Sequence, residues 1–295
     1  MNSNNITYTT FFQAKSKAYF ELTKFRLSST VVFSGSIGFL LGMKTFSLSA
    51  LIIFAVAAFL TTAAANIVNQ IFEKDLDVLM KRTQNRPLPT NRVGVTEAAV
   101  LSGILISISI FALWYFFNVK AAGIAFLSYV LYGFVYTPLK RKGPIAVAIG
   151  ALPGAFPPMI GWLAATNHFG LEPGILFAIQ FFWQFPHFWA IAWVLDDDYK
   201  KAGFKLLPSN GGRDLNSAIQ IMMYTVVLLP LCWVPFYLGM TGINSAMIAM
   251  IFSVLFLLQT FHLMKEVTNK AAKRLMFGSF LYLPIVQIAY LLDKI

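Results

Sequence analysis

Charged residues occur in short clusters along the chain, separated by long windows without Asp, Glu, Lys or Arg. These windows cover residues 27–43, 45–72, 98–119, 121–139, 143–171, 173–195, 215–264 and 275–292. A helix that spans a bilayer needs about 20 apolar residues, so seven windows have room for one span each. The window 215–264 has room for two, with a turn near residues 241–244, where the sequence reads TGIN. The pattern therefore predicts nine membrane-spanning helices.

The composition agrees with a membrane protein. Of the 295 residues, 58% are hydrophobic and only 12% are charged, whereas a soluble domain carries about 25% charged residues. This excludes an ordinary soluble enzyme and a disordered protein, and the single cysteine, Cys232, permits no internal disulfide. We expect an all-α polytopic membrane protein in which residues 1–295 form a single domain, with residues 1–26 as an N-terminal cytoplasmic segment.

The basic residues predict the orientation of the spans. The net charge is +11, and of the 23 Lys and Arg only Lys44, Lys120 and Lys294 fall on the face opposite the N-terminus. Because basic residues favour the cytoplasmic side, we expect a cytoplasmic N-terminus and, with an odd number of spans, a C-terminus on the opposite face. The basic excess therefore indicates topology and not nucleic-acid binding.

The N-terminal segment helps to predict the location. It shows neither a cleavable signal peptide nor the Arg-rich pattern of a mitochondrial transit peptide, which favours a bacterial cytoplasmic (inner) membrane and contact with its lipid bilayer. The stretch from Tyr8 to Phe25 is interpreted as an amphipathic helix on the inner surface of that membrane.

The acidic residues are also concentrated on the predicted cytoplasmic face. Of the 12 acidic residues, only Glu172 and Asp293 lie on the other face. Acidic residues contribute little to membrane topology, so this distribution needs another cause. It indicates that the chemistry of the protein takes place at the cytoplasmic face.

The first acidic cluster lies at the end of the second predicted span. Asn69, Glu73 and Asp77 are spaced four residues apart, which places their side chains on one face of a helix, whereas Asp75 belongs to another face. Mg²⁺ in proteins usually binds through one or two carboxylates, waters and a substrate phosphate. The register therefore predicts a Mg²⁺ site at the membrane boundary.

Arginines follow this face within one loop. Arg82, Asn85, Arg86 and Arg92 come directly after the acidic residues, and the guanidinium fork matches phosphate oxygens. Carboxylates for a metal beside arginines for an anion predict a metal–diphosphate ligand. The alternative is a solvated loop whose mixed charges only set topology.

The second acidic cluster follows the sixth predicted span, in the sequence WVLDDDYKKAGFKLLP, residues 193–208. Three consecutive aspartates repel one another unless a cation or lysines neutralise them. Asp198 and Tyr199, followed by Lys201, are interpreted as a second metal–phosphate arm. The alternative is a helix end with a salt-bridged turn.

Polar side chains also occur within the spans. Trp183, Gln184 and His187 lie close together in span six, and polar groups within a membrane usually face the interior of the bundle. A packed, hydrogen-bonded histidine is the alternative to a ligand-binding one. Span five contains three prolines within IGALPGAFPPMIGWLAA, which indicate either a structural break or a substrate cavity beside it.

These motifs, in this order, resemble the UbiA-type intramembrane prenyltransferases. The resemblance rests on Asn69-xxx-Glu73-xxx-Asp77, Arg82-Thr83-x-Asn85-Arg86-Pro87, Tyr136-Thr137-x-x-Lys140-Arg141 and Asp198-Tyr199-x-x-Ala202-Gly203-x-x-x-Leu207-Pro208. Within that superfamily, the proline-rich block from Gly150 to Trp162 and the block Trp183-Gln184-x-Pro186-His187-Phe188 resemble the haem-farnesylating family. The resemblance covers roughly residues 20–290.

The resemblance implies a bundle of nine helices around a central cavity open to the cytoplasmic face. It implies farnesyl transfer from farnesyl diphosphate to a vinyl group of haem B, with Mg²⁺ as cofactor. The implied catalytic and metal ligands are Asn69, Glu73, Asp77 and Asp198. The implied diphosphate ligands are Arg82, Asn85, Arg86, Lys140 and Lys201. The implied haem- and prenyl-binding residues are Tyr136, Trp183, Gln184, His187 and Tyr199.

Two positions depart from the family pattern. Glu73 stands where the family usually has Asp, which lengthens one ligand and keeps its charge, and Ala146 stands where related sequences often have Asn.

Two other functions remain as alternatives. One is a related prenyltransferase acting on an aromatic quinone precursor; the other is a secondary transporter, against which the gathering of the carboxylates at one face argues. The sequence leaves open whether the protein docks with a haem A synthase or an oxidase assembly factor.

Overall fold

The computed structural model describes the backbone of residues 3–209 and 212–295, with side chains from Gln13 onward. Within these ranges the regular structure is helical, apart from one isolated antiparallel bridge between Thr241 and Lys294. The prediction of an all-α fold is confirmed.

Twelve α-helices form the described chain. They are α1 (Ser3–Leu22), α2 (Phe25–Gly42), α3 (Leu48–Asp77), α4 (Val95–Phe116), α5 (Val119–Val130), α6 (Thr137–Leu139), α7 (Ile145–Thr166), α8 (Leu171–Lys201), α9 (Leu215–Leu231), α10 (Val234–Tyr237), α11 (Ile243–Glu266) and α12 (Asn269–Leu292). A π-helical segment, Leu131–Tyr136, joins α5 to α6, and a 3₁₀ turn, Lys140–Lys142, follows α6.

Nine helical segments in the described ranges are long and apolar enough to cross a membrane, which confirms the predicted number. The fourth comprises α5, α6 and their connecting turns, residues 119–142, and the seventh comprises α9 and α10, residues 215–237. The predicted turn in the longest charge-free window is also confirmed, because α10 ends at Tyr237 and α11 begins at Ile243. The protein is a multi-pass membrane protein.

The helix α1 precedes these nine segments. It includes most of the stretch in which the sequence predicts an amphipathic surface helix, and its backbone is helical there. The side chains of residues 8–12 in that stretch lie outside the described part of the chain. The residues Ala18 and Leu22 are fully buried and pack against the loop after α3 and the start of α4.

Helices α2 and α7 approach each other backbone to backbone. A Cβ atom at Gly161 of α7 would lie 2.0 Å from the carbonyl oxygen of Gly35, and one at Gly38 of α2 would lie 2.1 Å from that of Pro158. Apolar residues gain little by leaving lipid, so helices in membranes associate through close packing at small residues. The glycines therefore allow the backbones of α2 and α7 to pack this closely.

The prolines of α7 explain two further contacts. Proline has no N–H, so Pro157 and Pro158 leave the carbonyl groups of Pro153 and Gly154 without their helical donors. Gln180 Nε2 of α8 donates to the Gly154 oxygen at 2.7 Å. Ser128 Oγ of α5 donates to the Pro153 oxygen at 3.2 Å. Span five is a continuous helix despite its prolines, and the freed carbonyl groups tie α7 to α5 and α8.

A buried polar network joins three helices. Ser34 Oγ of α2 donates to Gln180 Oε1 at 2.5 Å, and Gln287 Nε2 of α12 donates to Ser34 Oγ at 2.7 Å. Such internal pairing is required of polar groups in a bilayer. The network ties α2, α8 and α12 together within the bundle. A central cavity open to the cytoplasmic face stays a prediction.

Candidate diphosphate and haem site

The end of α3 carries a buried polar face. Asn69, Glu73 and Asp77 are 1%, 5% and 0% exposed, respectively, whereas Asp75 between them is exposed. Their spacing puts them one helical turn apart along a single stripe. The predicted register is therefore present, and it faces the interior of the protein.

Each carboxylate on this face is paired with a cation. Lys140 Nζ lies 2.7 Å from Glu73 Oε1, and Arg86 Nη1 donates to both oxygens of Asp77, at 2.9 and 2.7 Å. Lys140 comes from the turn that ends the fourth span, and Arg86 comes from the loop after α3. The sequence-predicted metal ligands and diphosphate ligands are thus brought together at these two pairs.

The loop from residue 78 to residue 94 is folded tightly onto the end of α3. Thr83 Oγ1 donates to the carbonyl oxygen of Asp77 at 2.9 Å, and Met80, Thr83 and Leu88 are buried. Arg86 is therefore held beneath Asp77 by the fold of the loop and is more than a flexible surface charge.

Aromatic rings surround the Lys140 ammonium group. Its Nζ lies 4.8 Å from the centre of the Tyr136 ring and 6.0 Å from that of Phe204. Tyr136 is buried against Gly150, where a Cβ atom would lie 2.6 Å from the ring. A glycine is needed at that position because the ring occupies the space. Tyr136 thus lies beside the diphosphate residues and positions Lys140 through a cation–π contact.

Lys24 is a site residue that sequence reasoning missed. Its Nζ lies 2.7 Å from Asn69 Oδ1, while Asn69 Nδ2 donates to Thr137 Oγ1 at 3.2 Å. Burial lowers the pKa of Lys24 well below its ordinary value, and the positive charge of Arg86 lowers it further. The signal in the sequence is the position of Lys24 directly before the first span, where a lysine can contact the site as well as set the orientation of the span.

Asp198 joins the second acidic cluster to the first loop. Its carboxylate accepts hydrogen bonds from the backbone N–H groups of Lys81 at 3.1 Å and Arg82 at 3.4 Å, and Lys201 Nζ lies 3.2 Å away. The Asp198 carboxylate is thus bound to the backbone of the loop after α3. Among the described residues, no hydrogen bond or ion pair links it to the residues that pair with Glu73 and Asp77.

The two other aspartates have different partners. Asp196, 2% exposed, lies 2.7 Å from Lys200 Nζ, and Asp197 pairs with Arg213 Nη1 at 3.1 Å. Arg213 also donates from Nε to the carbonyl oxygen of Trp193 at 2.8 Å. These contacts close the end of α8 against the segment before α9. They match the salt-bridged turn that was the alternative for this cluster.

The donor set suits a hard divalent cation. In the described chain no three His, Cys, Asp or Glu side chains form a group that could hold a metal. The α3 face instead offers two buried carboxylates and one amide oxygen, a set that fits Mg²⁺ completed by water and phosphate oxygens. Asn69, Glu73 and Asp77 would hold it, and the role of Asp198 as a ligand stays a prediction.

Three predicted residues lie at the edge of this region. The side chains of Arg82 and Asn85 are exposed, and the carbonyl oxygen of Asn85 accepts from Arg92 Nη2 at 2.7 Å. Tyr199 is partly buried, with its ring 6.2 Å from that of Phe204. Arg82 and Asn85 lie on the loop after α3, and Tyr199 lies near the end of α8. The contacts of these three side chains do not show which ligand each would bind.

His187 lies in an aromatic pocket between α8 and α12. Its ring stacks on Trp183 with centroids 4.4 Å apart and meets Phe280 edge-on at 5.0 Å. Its Nδ1 lies 2.8 Å from Ser279 Oγ, which itself donates to the carbonyl oxygen of Met276. Because the serine hydroxyl has a single proton, Nδ1 is the donor to Ser279 and Nε2 is left with its lone pair.

Gln184 is packed close to α7. It is 3% exposed, its Nε2 lies 3.5 Å from the Ala151 carbonyl oxygen, and a Cβ atom at Gly154 would lie 2.3 Å from its amide. Along α8, His187 and Asp198 are 11 residues apart, or about 16 Å of helix. The structure therefore separates an aromatic region within the span from the charged region at its end.

Comparison with known proteins gives a consistent result. A sequence profile of the UbiA prenyltransferase family matches residues 31–283. The chain is 54% identical to a protoheme IX farnesyltransferase from Cytophaga hutchinsonii, over 95% of this chain and 98% of that protein. It is 46% identical to a protoheme IX farnesyltransferase from Christiangramia forsetii, over 93% of this chain and 92% of that protein.

Solved structures share the fold. A digeranylgeranylglyceryl phosphate synthase superimposes with a TM-score of 0.79 at 22% identity, covering 95% of this chain and 98% of that one. A UbiA homolog from Archaeoglobus fulgidus bound to GPP and Mg²⁺ superimposes with a TM-score of 0.65 at 15% identity, covering 92% and 99%. At these identities the likeness establishes the fold.

Proposed function

Because the chain belongs to the UbiA prenyltransferase family, we propose that it transfers a farnesyl group from farnesyl diphosphate to a vinyl group of haem B and so produces haem O. Relatives with this activity in their names align over more than nine-tenths of the chain. The observation that carries the proposal is the buried face of Asn69, Glu73 and Asp77, with cations already placed against it.

The charged region is the place for the diphosphate. Lys140 and Arg86 are held in position by Tyr136 and by the folded loop, so their charges need little rearrangement when negative charge develops on the leaving group. Arg82 is exposed at the mouth of the same region, where it can meet an incoming anion. A bound Mg²⁺ would neutralise the diphosphate as it departs.

The transfer itself requires that water be excluded from the allylic carbon, because water would otherwise react with the allylic cation before the vinyl group does. The C–O bond breaks with its electron pair leaving on the diphosphate, and the vinyl π electrons form the new C–C bond. Water then adds to the carbon beside the porphyrin ring and loses a proton. Tyr132 and Tyr136, whose rings lie 5.3 Å apart beside Lys140, can exclude water and stabilise positive charge through their ring faces.

The aromatic region within span six is the place for the haem. Trp183 offers a flat ring for stacking, and His187 keeps the lone pair of Nε2 because Ser279 accepts from Nδ1. That nitrogen can meet the iron or orient the porphyrin. Gln184 and Tyr199 lie on the same helix, Gln184 within the aromatic region and Tyr199 at the charged end.

The proposal includes a location. The N-terminal segment favours a bacterial inner membrane, and the distribution of basic residues favours an N-terminus in the cytoplasm and a C-terminus on the opposite face. In that orientation the charged region meets the cytoplasm, from which a diphosphate can enter, and the aromatic region lies within the bilayer with the prenyl chain.

The test is reconstitution of the reaction with purified protein in lipid nanodiscs. Haem B, farnesyl diphosphate and Mg²⁺ are added, and extracted pigments are analysed by mass spectrometry. We expect the hydroxyethylfarnesyl product, and no product when EDTA replaces Mg²⁺. A prenylated phenol formed from an aromatic quinone precursor, with haem left unchanged, would instead support the related prenyltransferase activity and contradict the proposal.

A further inference from the structure

Lys24 occupies an unusual backbone position. Its φ and ψ angles are 48° and 54°, in the left-handed region, which costs energy for a residue with a side chain. It is the second of the two residues between α1 and α2, and its amine is directed to Asn69 Oδ1, 2.7 Å away. Strain of this kind persists where the surrounding structure fixes the residue.

The corner that holds Lys24 is fixed by contacts other than its amine. Gln70 Nε2 donates to the carbonyl oxygen of Leu22 at 2.8 Å, and Ser28 Oγ donates to that of Thr23 at 2.7 Å. Asn66 Nδ2 in turn donates to Ser28 Oγ at 3.2 Å. Because α3 itself supplies Asn66 and Gln70, the position of Lys24 over Asn69 is set by the fold.

The charges on the α3 face are not balanced. Lys140 and Arg86 each pair with one carboxylate, Glu73 and Asp77. Lys24 donates to a neutral amide. In its protonated form it therefore carries the one charge among these three cations that has no carboxylate of its own on this face. An excess positive charge in a partly buried region opposes a divalent cation and attracts an anion.

From this arrangement we infer that Lys24 controls metal binding: it covers the Asn69 oxygen until a diphosphate arrives and draws its ammonium group away. Metal and diphosphate then bind cooperatively. The diphosphate moves the Lys24 ammonium group off the Asn69 oxygen that the metal needs, and the metal neutralises negative charge on the diphosphate. The inference rests on the metal–diphosphate site of the proposed function. It assigns Lys24 a positioning role that acts through Asn69.

The experiment measures binding of Mg²⁺ to the full-length protein in nanodiscs by titration calorimetry, with and without inorganic pyrophosphate. The same titrations with empty nanodiscs are subtracted, because Mg²⁺ also binds free pyrophosphate. For the wild type we expect weak binding of Mg²⁺ alone and about tenfold tighter binding with pyrophosphate. Lys24→Met and Lys24→Gln should bind Mg²⁺ alone about tenfold more tightly, because the competing cation is gone, and should lose most of the effect of pyrophosphate.

Two further variants separate charge from structure. Lys24→Arg keeps the positive charge and should retain the cooperativity. Lys17→Met removes an exposed lysine of α1 and should behave as the wild type. Thermal unfolding of every variant shows whether it is folded, and independent binding of Mg²⁺ and pyrophosphate to the wild type would overturn the inference without any variant.

Several results would overturn the inference. These are independent binding of Mg²⁺ and pyrophosphate to the wild type, the absence of Mg²⁺ binding under both conditions, or neutral variants whose affinity for Mg²⁺ alone is unchanged or weaker. Haem farnesylation is assayed in parallel. Cooperative binding without haem O formation would contradict the proposed function alone, and normal haem O formation with independent binding would contradict this inference alone.

Discussion

The ammonium group of Lys140 lies 2.7 Å from Oε1 of Glu73, and both side chains are largely withdrawn from solvent, at 14% and 6% exposure. Removing one member of such a pair leaves the other charge buried without a partner. We expect Glu73→Gln and Lys140→Met each to lower the free energy of unfolding by about 3 kcal/mol. Thermal unfolding in detergent measures this.

The double variant supplies the control for this pair. With both charges removed, neither is left unpaired, so the two losses should not add, and the coupling energy should be about 1–3 kcal/mol. Strictly additive losses would show that the two residues do not interact. Glu73→Asp, which keeps the charge, should retain measurable haem O formation.

Asp77 and Asp75 form a matched pair for the catalytic assignment. Asp77 is fully buried and bonded to Arg86, whereas Asp75, two residues away, is exposed. Asp77→Asn should reduce turnover by at least about 100-fold, because the proposed Mg²⁺ site loses a carboxylate ligand and Arg86 loses its charged partner. Asp75→Asn should leave turnover unchanged. Steady-state rates measure both, and equal rates for the two variants would remove Asp77 from the mechanism.

His187 and Ser279 can be tested by absorption spectroscopy during titration with haem B. His187→Ala should abolish the shift of the Soret band and weaken haem binding. Ser279→Ala should weaken it by about tenfold, because the imidazole loses the acceptor that sets its tautomer. His262→Ala, at the end of α11, should match the wild type. A Soret shift in His187→Ala equal to that of the wild type would show that this histidine does not contact haem.

The backbone contact between α2 and α7 predicts a difference between two glycines. Gly161→Ala would place a methyl group 2.0 Å from the carbonyl oxygen of Gly35, so we expect a loss of about 3 kcal/mol. Gly103→Ala in α4 meets nothing within 4 Å and should be neutral or stabilising by about 0.5–1 kcal/mol. Thermal unfolding compares the two variants, and equal unfolding midpoints would contradict the close approach of α2 and α7.

Asp214 gives a pH dependence that can be isolated. Its carboxylate caps α9 by accepting from the N–H of Ser217 at 2.8 Å. Burial tends to raise the pKa of Asp214, but hydrogen bonds from Ser217 and Ser209 outweigh it and hold that pKa below its ordinary value. The cap therefore contributes stability above the unfolded pKa of about 3.9, and loses it as the pH falls through the lower folded value.

The substitution Asp214→Asn tests this dependence, because asparagine also caps helices but does not titrate. The difference in unfolding midpoint between the wild type and this variant should be constant near neutral pH and should change below about pH 4. Asp214→Ala should cost about 1 kcal/mol at pH 7. A difference that stays constant down to pH 3 would exclude a contribution from the charge.

The sequence by itself determined the number of spans, the turn between α10 and α11, and the face shared by Asn69, Glu73 and Asp77. These features depend on neighbouring residues only. A bilayer requires an apolar stretch of fixed length, and the pitch of a helix fixes which residues share a side.

Only the tertiary structure decided which charges meet. Lys140 reaches Glu73 and Lys24 reaches Asn69 across 67 and 45 residues of sequence. The three adjacent aspartates near the end of α8 have different main partners: Lys200 for Asp196, Arg213 for Asp197 and the loop backbone for Asp198. The same packing revealed that the prolines of span five are accommodated by Gln180 and Ser128. Such contacts depend on how helices pack side by side, and the pattern along one chain does not contain that information.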